Sequence, residues 1–176
     1  MDDLGLEFPI GIGEVMIFGA RIDAGEGNRP GGRREAEKVA VAEALREAGI
    51  EPSRLRHEES GRPYLEGCDR EISISHGAGW AIVALGPAGM QIGVDIERWR
   101  PQLRRVSSKF LSPEEAAVYG QSDRLLLEAW TQKEAIFKAA GDPELTISRI
   151  PLPSPDFDVT IVDRFPDAVI ALAIRR

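Results

Sequence analysis

The chain is poor in several things, and each shortage excludes something. Cys68 is the only cysteine in 176 residues, so neither a disulfide framework nor a thiolate zinc cluster can form within it. Basic residues number 22 against 29 acidic ones, a net charge of -7. A general nucleic-acid binder needs a broad positive field, which this balance does not supply. No apolar run approaches membrane-spanning length, and the opening "MDDLGLEFPI" is acidic where a signal peptide would be basic. A soluble cytoplasmic protein, off the membrane, is the expectation. Low-complexity tracts and short internal repeats are also missing.

What is present suits a folded chain. Apolar residues make up 43% and charged residues 29%, enough for one ordinary domain or two small halves sharing a core. "EVMIFGARI" (14–22) has the look of a buried strand, and "DAGEGNRPGGRR" (23–34) of a loop. Val41, Leu45 and Ala48 fall at helical spacing in a helix from about Glu35, stopped by Gly49 and Pro52. "SGRPYLEG" reads as a turn into a short strand. "EISIS" (71–75), "WAIVAL" (80–85) and "QIGVDIE" (91–97), joined by "HGAG" and "GPAGM", read as an antiparallel meander.

The second half turns helical. "SPEE" (112–115) is a start signal, with Ser112 as N-cap, Pro113 at N1 and Glu115 completing a capping box. A longer helix is expected from Asp123 to Ala140, opened by Ser122 and closed by Gly141. "ELTIS" (144–148), "DFDVTIVD" (156–163) and "AVIALAI" (168–174) read as strands.

Several residues bear chemistry. In "IGVDIE", Ile92, Val94 and Ile96 face one way while Asp95 and Glu97 face the other, their Cα atoms roughly 6.5 Å apart. Two such carboxylates suit a hard cation such as Mg²⁺; taken alone, D-x-E is also what a strand leaving the core looks like. Trp130, Glu134 and Lys138 line one side of the long helix at i, i+4 and i+8. Glu134 before Lys138 is the favourable order for a helix ion pair, which is the plain alternative to a site role. His76 stands at a glycine-rich turn that can meet a phosphate, or is simply a turn histidine. Arg62 is a charge-assisted donor for phosphate or a solvated turn residue. Arg98, Arg100, Arg104, Arg105 and Lys109 form the one dense basic run, a docking face for an acidic partner or an ordinary charged surface.

In order along the chain, "GRPYL", "SISHG", "IGVDIE", "FLSPEE" and "WTQKEAIFKAAG" resemble the 4′-phosphopantetheinyl transferases of the surfactin-synthetase-activating class. The resemblance implies a monomer of α+β class, built as a pseudo-dimer. Its two similar halves, 1–96 and 97–176, would each have an antiparallel sheet packed by a long helix. The first would bind the nucleotide side of coenzyme A; the second would carry Glu134, Lys138 and the carrier-docking segment. It further implies transfer of the phosphopantetheine arm of coenzyme A to a serine of an acyl or peptidyl carrier protein, with release of adenosine 3′,5′-bisphosphate. Asp95, Glu97 and Glu134 would form the Mg²⁺ site, Lys138 would stand near the pyrophosphate, and Arg62, Ser75 and His76 would hold the nucleotide end. The base that takes the serine proton is either Glu134 or a water on the ion. The basic run at 98–109 would receive the acidic carrier. The chain departs from the pattern with Ser73 and Gly77, and it has no basic residue before Arg21 to meet the nucleotide's 3′-phosphate; Arg29, Arg33 and Arg34 are the replacements. Two other classes remain: a silent family member that binds coenzyme A or a carrier, and another Mg²⁺-dependent phosphate enzyme such as a pyrophosphohydrolase.

Overall fold

The computed structural model describes residues 7–23, 32–162 and 168–176. Strands β1 (Ile10–Ile12), β2 (Val15–Arg21), β5 (Glu71–Gly77) and β6 (Trp80–Gly86) make one antiparallel sheet in the order β1-β2-β6-β5. Strands β7 (Ile92–Arg98), β8 (Phe157–Val162) and β9 (Ala168–Arg175) make a second, in the order β7-β9-β8. A short pair, β3 (Leu55–His57) and β4 (Pro63–Leu65), stands apart. Helix α1 is Gly32–Glu47, α2 Pro101–Arg105, α3 Pro113–Tyr119 and α4 Asp123–Ala140.

The period of two along each strand sorts the core into layers. Ile17, Ile82 and Ala84 of the first sheet pack directly on Ile92, Val94, Ile96, Ile170 and Leu172 of the second. On its other face the first sheet offers Ala20, Ala81, Val83 and Leu85 to Val41, Ala44 and Leu45 of α1. The second sheet offers Val169, Ala171 and Ala173 to Leu126, Ala129, Ile136 and Ala139 of α4. The molecule is therefore helix, sheet, sheet, helix, with apolar contact between each pair of layers.

The local signals behave as their chemistry requires. Ser112 accepts from the Glu115 N–H and Glu115 accepts from the Ser112 N–H, a complete capping box. Ser122 caps α4 by accepting from Leu125 N–H, and Gly141 ends it at a φ of 61°, a left-handed conformation that costs a glycine little.

Two expectations are corrected. "QIGVDIE" is not the third strand of a meander: β7 pairs with β9 along its whole length. A short loop can turn the chain without returning it to the same sheet; here β7 takes β9 as its ladder partner and lays its apolar face on the first sheet. The expected division after residue 96 falls inside β7. "ELTIS" is not a strand; Thr146 precedes a single 3₁₀ turn, Ile147–Arg149. Of "DFDVTIVD", Asp163 lies outside the described residues. No described helix is long and apolar enough to cross a membrane.

Candidate active site

The two sheets meet at a corner formed by β5 and β7, and no backbone ladder joins these strands. Ser73, Ser75 and Gly77 occupy the inward positions of β5. Ser73 Oγ accepts from Val94 N–H at 3.0 Å, and Ser75 Oγ accepts from Ile96 N–H at 3.3 Å. Hydroxyls thus satisfy amides that a neighbouring strand would otherwise cover. Gly77 has no room for more: a Cβ there would lie 1.9 Å from the Ile96 carbonyl oxygen. On the other face of β7, a Cβ on Gly93 would lie 2.0 Å from the Ala135 carbonyl oxygen of α4. Two glycines let β5 and α4 close on β7 from both sides.

Asp95 is held in that pinch and is only 5% exposed. Its Oδ1 accepts from Ser75 Oγ at 2.7 Å and from Lys138 Nζ at 2.8 Å, while Lys138 also donates to the Val94 carbonyl at 3.1 Å. Lys138 therefore turns to the strand, and the expected helix ion pair with Glu134 gives way to one with a buried carboxylate. Among the described residues the second oxygen of Asp95, Oδ2, is buried without a hydrogen-bond partner, which leaves an acceptor desolvated.

Successive turns of α4 match successive outward positions of β7. Two turns before Lys138, Trp130 Nε1 donates to Glu97 Oε1 at 3.3 Å, and its indole packs edge-on against Phe110 with ring centres 5.0 Å apart. Arg100 grips both oxygens of Glu97, at 3.0 and 3.1 Å. Glu134 stands between these two turns. Burial, then the charge of Asp95 and that of Glu97, push its carboxyl up to about 7, with Lys138 opposing. Glu97 is raised by burial and by Asp95, against Arg100, Trp130 and Lys138. The three expected carboxylates thus share one electrostatic neighbourhood. As the side chains stand, no three described His, Cys, Asp or Glu groups converge on a single metal position. The oxygen-only donor set and the partnerless Oδ2 are nevertheless what a hard cation requires.

Ser75 and His76 were expected to act together, but consecutive strand residues take opposite faces. Ser75 is buried at the corner, whereas His76 is exposed on the α1 side. Nearby protein still dehydrates its ring, and this lowers its pKa, helped by Lys138 and Arg33 and opposed by Glu37. His76 borders a cleft of about 690 Å³ between α1 and the β3–β4 pair, whose other polar walls include Arg34, Glu37, Lys38 and His57. A second cleft of about 260 Å³ joins it at Gly61, Pro63 and Ile74, and runs past Arg62 to Lys138. Arg62 lies against the C-terminal end of α4, where a Cβ on Gly141 would be 2.9 Å from its Nη1.

Of the basic residues suggested for a 3′-phosphate, Arg34 lines the larger cleft and Arg33 pairs with Glu37 at 3.0 Å. Arg29 lies outside the described residues. Lys38 was missed, although its place four residues after Arg34 puts both on one face of α1. Within the basic run, Arg104 pairs with Asp123 and Arg100 with Glu97, while Arg105 and Lys109 are exposed.

The segment that carries β7 and α4 is also where the chain is similar to a known family. The model of the 4′-phosphopantetheinyl transferase superfamily matches residues 91–173, which include β7 and α4. A 4′-phosphopantetheinyl transferase of Bacillus subtilis is 28% identical over 134 residues, covering 72% of this chain and 55% of that one. The 4′-phosphopantetheinyl transferase HetI of Nostoc sp. is 31% identical over 107 residues, covering 53% of this chain and 45% of its own length. The chain thus spans about half the length of these curated relatives. On the matched segment and these likenesses, the chain is similar to the 4′-phosphopantetheinyl transferase superfamily.

Proposed function

We propose that the protein transfers the 4′-phosphopantetheine arm of coenzyme A to a serine of an acyl or peptidyl carrier protein, giving the holo-carrier and adenosine 3′,5′-bisphosphate. We place it in the surfactin-synthetase-activating class: a cytoplasmic monomer whose two sheet-and-helix halves stand as a pseudo-dimer. The observation that carries the reading is Asp95, a buried carboxylate held by Ser75 from one half and by Lys138 from the other, with Lys138 also lining a cleft that reaches Arg62.

Asp95, Glu97 and Glu134 would hold Mg²⁺. When bound, the ion supplies charge neutralisation to the pyrophosphate and polarises its oxygens. The remaining work falls to the chain's own groups. Arg34, Lys38, Arg62 and His76 bind and orient the phosphates of coenzyme A. Glu134, on the turn of α4 between Trp130 and Lys138, is the chain's own candidate to accept the serine proton. The serine oxygen then bonds to the phosphorus bearing the pantetheine arm, and the bond from that phosphorus to the bridging oxygen breaks. Lys138 Nζ stabilises the negative charge gathering on the departing bisphosphate. Arg105 and Lys109, exposed beyond β7, would steer the acidic helix of the carrier to the site.

The test is incubation with coenzyme A, Mg²⁺ and a panel of apo-carriers, read by mass. A carrier heavier by one phosphopantetheine is the expected product. If every carrier stays unmodified while an established transferase modifies them, the reading fails. Adenosine bisphosphate released without a carrier would instead mark a phosphohydrolase.

A further inference from the structure

Lys133 immediately precedes Glu134 on α4, yet it is wholly buried. A charged ammonium removed from water is costly unless fully paired, so its partners need an explanation. Nζ donates to Glu115 Oε2 at 2.7 Å and to the Ile150 carbonyl at 2.6 Å. Glu115 is itself buried; its Oε1 accepts from Leu152 N–H at 2.8 Å and its Oε2 from Ser112 N–H at 2.9 Å. One ion pair therefore ties together the start of α3, the middle of α4 and the 150–152 segment that leads toward β8.

Hydrophobic packing alone leaves a helix some freedom to roll on a sheet, because apolar contacts have no direction. The contacts of Lys133 do have direction. Consecutive helix residues stand about 100° apart, so fixing Lys133 fixes the angle at which Glu134 leaves the helix, and that of Lys138 one turn on. The glycine contact at Gly93 sets how near α4 lies to β7, but it does not set this rotation.

We propose that Lys133, gripped by Glu115 and the Ile150 carbonyl, is a positioning residue that holds α4 at the rotation placing Glu134 and Lys138 over β7. The proposal rests on the transferase reading of that site. It gives the capping box at Ser112 a second purpose, since the same Glu115 that closes the box anchors the lysine.

The test replaces the charge pair by neutral groups of similar shape. Lys133→Met alone leaves Glu115 buried and unpaired, and such a variant fails to fold for reasons unrelated to rotation. The double variant Lys133→Met/Glu115→Gln avoids this, because glutamine still serves a capping box and neutral replacement of a buried pair is often well tolerated. In the folded double variant kcat should fall tenfold or more, while coenzyme A binding without carrier changes less than threefold. A purely structural pair would lower the melting temperature and leave kcat within twofold, and that result overturns the proposal. If the parent chain transfers nothing to any carrier, the failure belongs to the transferase reading. The positioning claim is then judged by Mn²⁺ affinity measured by electron paramagnetic resonance. A loss of about tenfold in the double variant supports it, and an unchanged affinity overturns it.

Discussion

Helices α1 and α4 occupy matching places on the outer faces of the two sheets, and they are built differently. The buried side of α1 is Ala40, Val41, Ala44 and Leu45, all small or aliphatic, and its cleft side carries Arg34 and Lys38. The buried side of α4 includes the charged Lys133, and its sheet-facing edge carries Trp130, Glu134 and Lys138. The first helix offers cations from a simple apolar support. The second holds carboxylates and an ammonium, and is fixed by directional contacts along its length. Binding a flexible anion tolerates small errors in the position of long, mobile side chains. Moving a proton between defined atoms does not.

Substitutions can break that contrast. Glu134→Gln is expected to cut transfer by about 10²–10⁴-fold, with coenzyme A affinity within a few-fold of the parent; steady-state kinetics with an apo-carrier measures the first and direct coenzyme A binding the second. Asp95→Ala should abolish transfer as well. Because Asp95 is buried and holds two donors, the same change should also lower stability by about 1–3 kcal/mol, read by urea unfolding. On α1, the pair Arg34→Ala/Lys38→Ala should raise KM for coenzyme A about tenfold with kcat nearly intact. Equal losses in kcat from both helices would erase the distinction.

The next effect is on pH. Glu134 moves from an ordinary 4.5 to about 7 in the folded chain, so between these values the native state holds a proton that the unfolded state has released. Stability should therefore fall as pH rises through that window, by roughly 3 kcal/mol at most, in chelator-treated protein. Glu134→Gln should flatten the slope, whereas Arg34→Ala should leave it unchanged. The smallest effect is expected from Trp130→Phe, which keeps the packing on Phe110 and removes one hydrogen bond to Glu97. A few-fold loss in kcat, about 1 kcal/mol, would fit.

Much of α4 was legible in the sequence, because Ser122 and Gly141 are chemically specific start and stop signals and Trp130, Glu134 and Lys138 share a helical face. The alternation in "IGVDIE" also predicted which side of β7 carries Asp95. What alternation cannot say is what covers that side. A strand with a polar face normally leaves it to water, and here α4 lies on it, so Asp95 is buried. Sheet membership was hidden for a related reason: "GPAGM" reports a turn, while the partner of β7 lies some eighty residues away in β9. Lys133 was illegible because a lysine beside a glutamate in a helix has the composition of a wet surface. Only the fold brings Glu115 and residue 150 to it.

The serine contacts at the corner carry one more implication. A ladder of identical peptide groups is nearly satisfied again if one strand slides by two residues, so ladders alone are forgiving joints. Ser73 and Ser75 are different: their two hydroxyls meet the amides of Val94 and Ile96, and the missing side chain at Gly77 meets the Ile96 carbonyl. Slid two residues one way, Gly77 would face an amide needing an acceptor; slid the other way, the side chain of Ser75 would strike a carbonyl. The joint therefore works as a key with three cuts, and it turns at a single setting, the one that brings Ser75 to Asp95.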